Sequence, residues 1–236
     1  MLNPVLIFQH SPTEGPGYFT TFLDRAGIPW RLVRIDEGEA VPESLAGYSG
    51  LCLMGGAMSV NDALPWIPPL LGLIRIAVER GVPVIGHCLG GQLLSKALGG
   101  IVSANPVKEI GWGEVRVVDA EAARPWLGDT TSAPAFHWHG ETFTLPHGAV
   151  RILESEWCPN QAFVLGDRHV GMQCHVEMTP ELIAAWCANG AAEIAASTSP
   201  AVQQPSVMQA EAEARTVRLH ALADKIYSRW IQGLSR

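Results

Sequence analysis

The sequence carries little positive charge and few charges overall. Lysine and arginine number 16 against 23 aspartates and glutamates, the net charge is −7, and no basic run occurs. Because binding to phosphate backbones requires clustered lysine and arginine, this composition argues against a nucleic-acid partner. The sequence also lacks an apolar run of the roughly 20 residues that cross a bilayer, and a secretory signal, so no membrane partner is expected.

Paired cysteines and phosphate-loop signatures are missing as well. The five cysteines are scattered without a CxxC pair, so neither a disulfide framework nor a zinc site is predicted. We therefore expect free thiols in a reducing cytoplasm, no metal and no cofactor. No GxxxxGK[ST] pattern occurs, so the ATP-binding module of a fused synthase is not expected in this chain.

What is present is a pattern of short apolar strands alternating with helices. We predict strands at 5–8, 31–35, 50–54, 82–85, 114–118, 135–138, 150–153, 162–165 and 170–174, and helices at 18–26, 69–80, 89–98 and 180–189. This order predicts an α/β fold with an open, mostly parallel, doubly wound sheet and helices on both faces.

The last part of the chain differs in composition. Residues 190–206 are rich in Ala, Ser, Pro and Gln and are interpreted as a linker or loose helix, followed by a helix at 207–234. Its apolar stripe at 219, 222, 226, 230 and 234 is predicted to dock on the parent domain, with a homodimer contact as the alternative. We divide the chain into a domain at 1–190 and an extension at 191–236.

The sequence GHCLGGQ at residues 86–92 follows a predicted strand and opens a predicted helix. Glycines two residues before and after Cys88 mark a nucleophile elbow, because a sharp strand-to-helix turn leaves no room for side chains there. The helix dipole would favour the thiolate of Cys88. The amide of Leu89 would form one half of an oxyanion hole, and that of Gly56, after the strand at 50–54, the other half.

His175 and Glu177 complete the predicted catalytic set. A thiolate that transfers acyl groups needs an acid–base partner, and His175 follows the predicted strand at 170–174. Glu177 is close enough in the chain to hold the imidazole in one tautomer. His87 is expected to pack within the turn. His137 and His139 share one face of a strand, but no third ligand is spaced to complete a metal site.

Four segments of the sequence resemble those of class I glutamine amidotransferases. GHCLGGQ resembles their nucleophile motif, and QCHVE at 173–177 their His-x-Glu motif, with Val176 where proline is usual. Gly55 and Gly56 resemble the oxyanion strand, and WHGE at 138–141 the segment bordering the glutamine pocket. The resemblance spans about residues 1–190, and is strongest to stand-alone proteins similar to the amidotransferase part of GMP synthase, including γ-glutamyl peptidase-like members.

This resemblance implies a substrate and a set of contacts. Gln92, with backbone near Gly56, Leu89 and His139, would hold a glutamine or γ-glutamyl small molecule, and the amide of Gly140 would assist. The sequence leaves three roles open: ammonia donation to a separate synthase subunit, stand-alone γ-glutamyl hydrolysis, and a non-catalytic binding or regulatory role. An α/β-hydrolase is disfavoured, because there the acid precedes the histidine in the chain.

Overall fold

The computed structural model describes residues 2–235, which form nine strands and eight α-helices. The strands are β1 (Val5–Gln9), β2 (Trp30–Arg34), β3 (Gly50–Leu53), β4 (Val84–His87), β5 (Val102–Val117), β6 (Ser132–Phe143), β7 (Val150–Glu154), β8 (Ala162–Leu165) and β9 (His169–Met172). The helices are α1 (Tyr18–Arg25), α2 (Ile67–Glu79), α3 (Leu89–Ala97), α4 (Ala120–Leu127), α5 (Pro180–Asn189), α6 (Ala191–Ala196), α7 (Pro205–Ala210) and α8 (Ala212–Trp230).

All strands join one sheet in the order β2-β1-β3-β4-β9-β8-β7-β5-β6. The five strands from β2 to β9 in this order are parallel, and the remaining pairs are antiparallel. The predicted doubly wound α/β fold is therefore confirmed, with an antiparallel extension on one side. The crossovers from β1 to β2 and from β3 to β4 carry α1 and α2, whereas the connection from β2 to β3 contains only a short 3-10 turn at Ile35–Glu37.

Helices cover both faces of the sheet. Along β1, Val5 and Ile7 belong to an apolar cluster with residues of α1, α5 and α8, whereas Leu6 and Phe8 belong to a second cluster with residues of α2 and α3. Burial on both faces explains why β1 reads as a continuous apolar run rather than an alternating one. Within residues 2–235, none of the helices combines the length and apolar character needed to span a bilayer.

The tail packs against the rest of the chain. The stripe residues Leu219, Leu222, Ile226 and Trp230 are all buried in the first apolar cluster, and Leu234 packs against it. The single helix predicted at 207–234 is divided at Glu211 into α7 and α8 and ends in a short 3-10 turn. The proposed domain boundary at residue 190 stays a prediction.

The segment interpreted as a linker contains α6 and an extended stretch fixed to β5. Ala201 O accepts from Ile110 N at 2.9 Å, and Gln203 N donates to Ile110 O at 2.9 Å. The side chain of Gln203 also bonds both the N–H and the carbonyl of Trp112. The segment is ordered by these contacts with a distant strand, which local composition does not encode.

Candidate active site

The carboxyl ends of β1, β3, β4 and β9 meet at one edge of the sheet, and Cys88 lies there at the turn between β4 and α3. Cys88 has φ 49° and ψ −107° and is the only non-glycine residue at positive φ within residues 2–235. A Cβ atom at Gly86 would overlap the backbone of Gly90, and one at Gly90 would overlap the backbone of Leu53. The glycines thus permit a turn too tight for side chains, which is the geometry of a nucleophile elbow.

His175 and Glu177 form a buried pair beside this turn. His175 Nδ1 donates to Glu177 Oε1 at 2.7 Å, and both side chains are almost fully buried. His175 N donates to Phe136 O at 2.8 Å, which fixes the histidine backbone against β6. The ring of Trp186 packs perpendicular to the imidazole, with centroids 4.8 Å apart. These contacts fix the imidazole plane, and the other nitrogen, Nε2, has no hydrogen bond of ordinary geometry within residues 2–235.

The charges of this pair oppose the effect of burial. Burial by itself would lower the pKa of His175, but the charges of Glu177 and Cys88 and the hydrogen bond to Glu177 outweigh it and raise that pKa well above its usual value. Burial would raise the pKa of Glu177, yet the charge of His175 and its hydrogen bond to the carboxylate lower it to about 2. The site therefore favours an imidazolium next to a carboxylate.

The sulfur of Cys88 contacts a side-chain amide and a backbone carbonyl. Gln173 Nε2 donates to Cys88 Sγ at 3.4 Å, and Trp138 O lies 3.8 Å from the same sulfur. Gln173 in turn accepts from Gln92 Nε2 at 3.1 Å, so Gln92 supports the sulfur through Gln173. Gln173 is not predicted as a site residue from the sequence, although it lies two residues before His175 at the same strand end.

The amides predicted to form an oxyanion hole belong to the start of α3 and to the loop after β3. Leu89 is the first residue of α3, and Gly56 follows β3, the strand adjacent to β4. A Cβ atom at Gly56 would contact the side chains of Leu89 and Met58. Neither the Gly56 nor the Leu89 amide donates to another backbone group within residues 2–235. Their use in an oxyanion hole stays a prediction.

A pocket of about 410 Å³ connects the sulfur of Cys88 to the surface. Four other residues of the predicted set line it, namely Gly56, Gln92, His139 and Gly140. It is also lined by Thr13, Glu14, Ala57, Met58, Ser59, Lys108, Trp138, Glu141, Trp186, Asn189, Gly190 and Glu193. Leu89, His175 and Glu177 are buried at or behind its wall. The structure thus brings the predicted site residues to one place, while their functional roles stay predictions.

His139 is fixed by a buried polar network behind the pocket wall. Its Nε2 lies 3.0 Å from Glu109 Oε2, and its Nδ1 lies 2.9 Å from Glu141 O. Glu109 also accepts from Ser155 Oγ and from the Gln161 side chain. Possible ligand atoms of Glu109, His139 and Cys158 lie within 4.8 Å of one another. Because hydrogen bonds within the protein engage each of the three side chains, we assign this group to positioning the pocket wall.

His87, which the sequence analysis placed within the turn, points away from the pocket. Its ring is fully buried and its Nε2 lies 3.0 Å from Tyr227 Oη on α8. Burial lowers its pKa below the usual value, so it is neutral at neutral pH. The residue before the nucleophile thus links the elbow to the C-terminal helix.

Comparisons with known proteins agree with this geometry. The family profile described as "Glutamine amidotransferase class-I" matches residues 21–192. The crystal structure of a glutamine amido transferase from Methylobacillus flagellatus superposes with a TM-score of 0.97, at 46% identity, over 100% of this chain and 97% of that one. The fold is shared over nearly the whole length of both chains.

Curated relatives include stand-alone and fused proteins. The glutamine amidotransferase-like protein YfeJ of Salmonella typhimurium is 32% identical over 74% of this chain and 75% of its own. γ-Glutamyl peptidase 3 of Arabidopsis thaliana is 27% identical over 71% of each chain. The glutamine-hydrolyzing GMP synthase of Azoarcus sp. is 34% identical over 55% of this chain but only 26% of its own. From the profile match, the relatives and the shared structure, we conclude that this chain belongs to the class I glutamine amidotransferase family.

Proposed function

We propose that this protein is a cysteine-nucleophile amidohydrolase that cleaves the γ-amide of glutamine or of a γ-glutamyl compound. The observation that carries the proposal is the position of Cys88 at the elbow, beside a His175–Glu177 pair whose charges favour an imidazolium. Membership of the class I family supports the same reaction type.

In the acylation step, the Cys88 thiolate attacks the amide carbonyl carbon and forms a C–S bond. Negative charge moves to the carbonyl oxygen, where the amides of Leu89 and Gly56 would stabilise it. His175 Nε2 gives its proton to the nitrogen, the C–N bond breaks, and ammonia or an amine departs. A γ-glutamyl thioester remains on Cys88.

In the deacylation step, water replaces the departed amine. Neutral His175 takes a proton from the water, and the resulting hydroxide attacks the thioester carbonyl carbon. The C–S bond then breaks, which releases glutamate and restores the thiolate beside the imidazolium. Glu177 stays ionised throughout and keeps Nδ1–H directed at itself, so Nε2 always faces the reacting atoms.

The glutamyl part of the substrate is assigned to the pocket wall formed by α3 and β6. Gln92, His139 and Gly140 line that wall, and the Glu109 network fixes His139. The fate of the released nitrogen separates two versions of the function. Similarity to GMP synthase supports donation to a separate synthase subunit, and similarity over 71% of a γ-glutamyl peptidase supports independent hydrolysis. Five free cysteines support a reducing compartment such as the cytoplasm.

The proposal is tested by labelling with 6-diazo-5-oxo-norleucine, a glutamine-like electrophile, followed by mass spectrometry. We expect labelling at Cys88 that excess glutamine prevents and that Cys88→Ala abolishes. Cys52→Ala, a change of another buried cysteine on the neighbouring strand, serves as the matched control and should keep the label. A wild-type protein that remains unlabelled while folded would contradict a glutamine-sized site at Cys88.

A further inference from the structure

Glu14 belongs to the loop between β1 and α1, and this loop is attached to the catalytic pair at two points. Trp186 Nε1, on the ring that packs against His175, donates to Thr13 O at 2.8 Å. At the other end of the loop, Tyr18 N donates to Glu177 O at 2.8 Å. The position of Glu14 relative to His175 is therefore fixed by hydrogen bonds on both sides.

The carboxyl group of Glu14 lies beside the free edge of the His175 ring. A Cβ atom added to Gly55 would overlap Glu14 Oε2 and lie 3.3 Å from His175 Cε1, so both groups flank the same glycine. Cε1 joins the two ring nitrogens, and Nδ1 is occupied by Glu177. Glu14 thus lies near the Cε1 edge of the ring, and it lines the same pocket as Cys88.

This carboxyl group has no partner among residues 2–235. Its oxygens form no hydrogen bond and no ion pair with another group of residues 2–235, whereas Glu193, across the pocket, bonds both Lys108 and Trp138. Burial raises the pKa of Glu14 to about 7, with the charge of His175 opposing and that of Glu177 adding to the effect. A largely buried carboxyl group without a partner, directed into a pocket, is suited to a ligand that donates hydrogen bonds.

The reaction determines which part of the substrate this group meets. His175 Nε2 must face the departing nitrogen in order to protonate it, and the glutamyl part is assigned to the opposite wall. We propose that Glu14 forms a binding site for the departing amine, accepting an N–H hydrogen bond from the scissile amide and holding the amine after the C–N bond breaks. Glu14 neither gains nor loses a proton in this step, because the proton that forms the new N–H bond comes from His175.

This inference rests on the proposed amide hydrolysis and predicts a selective defect. An ester leaving group has no N–H, so Glu14 has nothing to bind when the γ-methyl ester of glutamate replaces glutamine. In Glu14→Ala we expect kcat/KM for glutamine to fall by roughly 10- to 100-fold, the range for a hydrogen bond to a charged group. We expect kcat/KM for the ester to change by less than about threefold. Glu14→Gln, which keeps an acceptor oxygen, should show a smaller loss on glutamine.

The measurement is the ratio of amide to ester hydrolysis in wild type, Glu14→Ala and Glu14→Gln, with folding checked by thermal denaturation. Glu193→Gln, an acidic pocket residue that has its own partners, is the matched control and should keep the wild-type ratio. An unchanged ratio in the Glu14 variants, with or without a common loss of rate, would overturn the proposal, since it would mean a structural role for Glu14. A wild-type protein that is not labelled at Cys88 by 6-diazo-5-oxo-norleucine would contradict the proposed function itself, and this inference with it.

Discussion

The buried His175–Glu177 pair keeps two charges where burial favours neutral groups. Each partner compensates for the desolvation of the other, as the raised pKa of the histidine and the lowered pKa of the carboxyl show. Removing one charge therefore leaves the other buried without compensation. The effect of such a change is expected in the reaction first, because Nε2 faces the reacting atoms only while Nδ1 is engaged.

The change Glu177→Gln tests the orienting role. An amide side chain cannot stabilise the imidazolium and permits the wrong tautomer, so we expect kcat to fall on the order of 10³- to 10⁴-fold. The measurement is steady-state glutamine hydrolysis, with Glu79→Gln, a change of an exposed carboxylate on α2, as the matched control. A kcat within threefold of wild type would show that Glu177 is not the third member of the catalytic set.

The raised pKa of Glu14 predicts that this carboxyl group destabilises the folded protein as the pH rises, which is opposite to the effect of a carboxyl group with a lowered pKa. Its folded pKa of about 7 exceeds the ordinary value of 4.5, so between these pH values the folded protein keeps a proton that the unfolded chain has lost. The contribution of Glu14 to stability is therefore lost as the pH rises through about 7. Glutamine imitates the protonated group, so Glu14→Gln should raise the melting temperature relative to wild type more at pH 8 than at pH 4.5. Glu43→Gln, at an exposed site, should show no such trend, and equal shifts at both pH values would contradict the expected titration.

At the scale of elements, the turn from β4 to α3 combines a strand end, a tight turn and a helix start within a few residues. The helix begins directly after Cys88, so its first amides point to the region where negative charge develops. Gly90 and Gly91 lie in the first turn of α3 and bring the helix against the backbones of Leu53 and Met172. This close approach explains why helix-disfavouring glycines occur in the middle of a packed structure.

A pair of glycine substitutions measures this close approach. Gly90→Ala should lower the free energy of unfolding by about 1–3 kcal/mol or more, because the new Cβ would overlap the backbone of Leu53. Gly72→Ala in α2 is the matched control, since its nearest neighbour would be an Arg75 side-chain atom at 3.9 Å. There the higher helix propensity of alanine should raise stability by up to about 1 kcal/mol. Chemical denaturation of both variants checks the difference, and similar effects at both sites would contradict the packing argument.

Elements with local signals were predictable, and elements that depend on distant partners were not. The strand preceding Cys88 was found from its apolar run, with a boundary shifted by two residues. The helix α4, capped by Asp119, was missed because Pro125 and flanking strand residues obscure its period. The strands β5 and β6 are far longer than predicted, because they pair with each other along most of their length despite a register shift between Ala104 and Glu109. Long-range pairing of this kind leaves little trace in local sequence.

At the scale of the whole molecule, the C-terminal helix completes one face of the core. Trp230 and Tyr227 are fully buried, and the Phe19 ring packs edge-on against both. Gly50, at the start of β3, allows the Trp230 ring to approach the sheet. The helix therefore supports the same strands that carry the active site.

Trp230→Ala measures what this helix contributes. The cavity left by the indole should lower the free energy of unfolding by about 3–5 kcal/mol. Val217→Ala on the same helix is the matched control, because that side chain is 70% exposed and should change stability by less than about 0.5 kcal/mol. Denaturant titration of the full chain distinguishes the two. Comparable losses at both positions would show that the helix does not depend on its buried stripe.

The candidate catalytic residues could be identified from the sequence, whereas the residues that surround and orient them could not. Cys88, His175 and Glu177 lie at strand ends in recognisable local patterns, so their types and spacing were informative. Gln173, Trp186 and the Glu14 loop reach the site only through tertiary contacts, such as the bond from Trp186 Nε1 to Thr13 O across more than 170 residues of chain. The hydrogen bonds and ring packing that orient the pocket therefore required the structure.

The position of β4 between β3 and β9 also determines when the two halves of the site can meet during translation. β3 precedes β4 in the chain, but β9 and His175 follow it by more than 80 residues. Chains emerge from the ribosome N-terminus first, so Cys88 leaves it well before its acid–base partner has been synthesised. The nascent chain then carries Cys88 without His175, the residue proposed to act with it. Pairing of β9 with β4 brings His175 to the same edge of the sheet as Cys88, so the proposed catalytic pair can form only after the second half of the chain has been made.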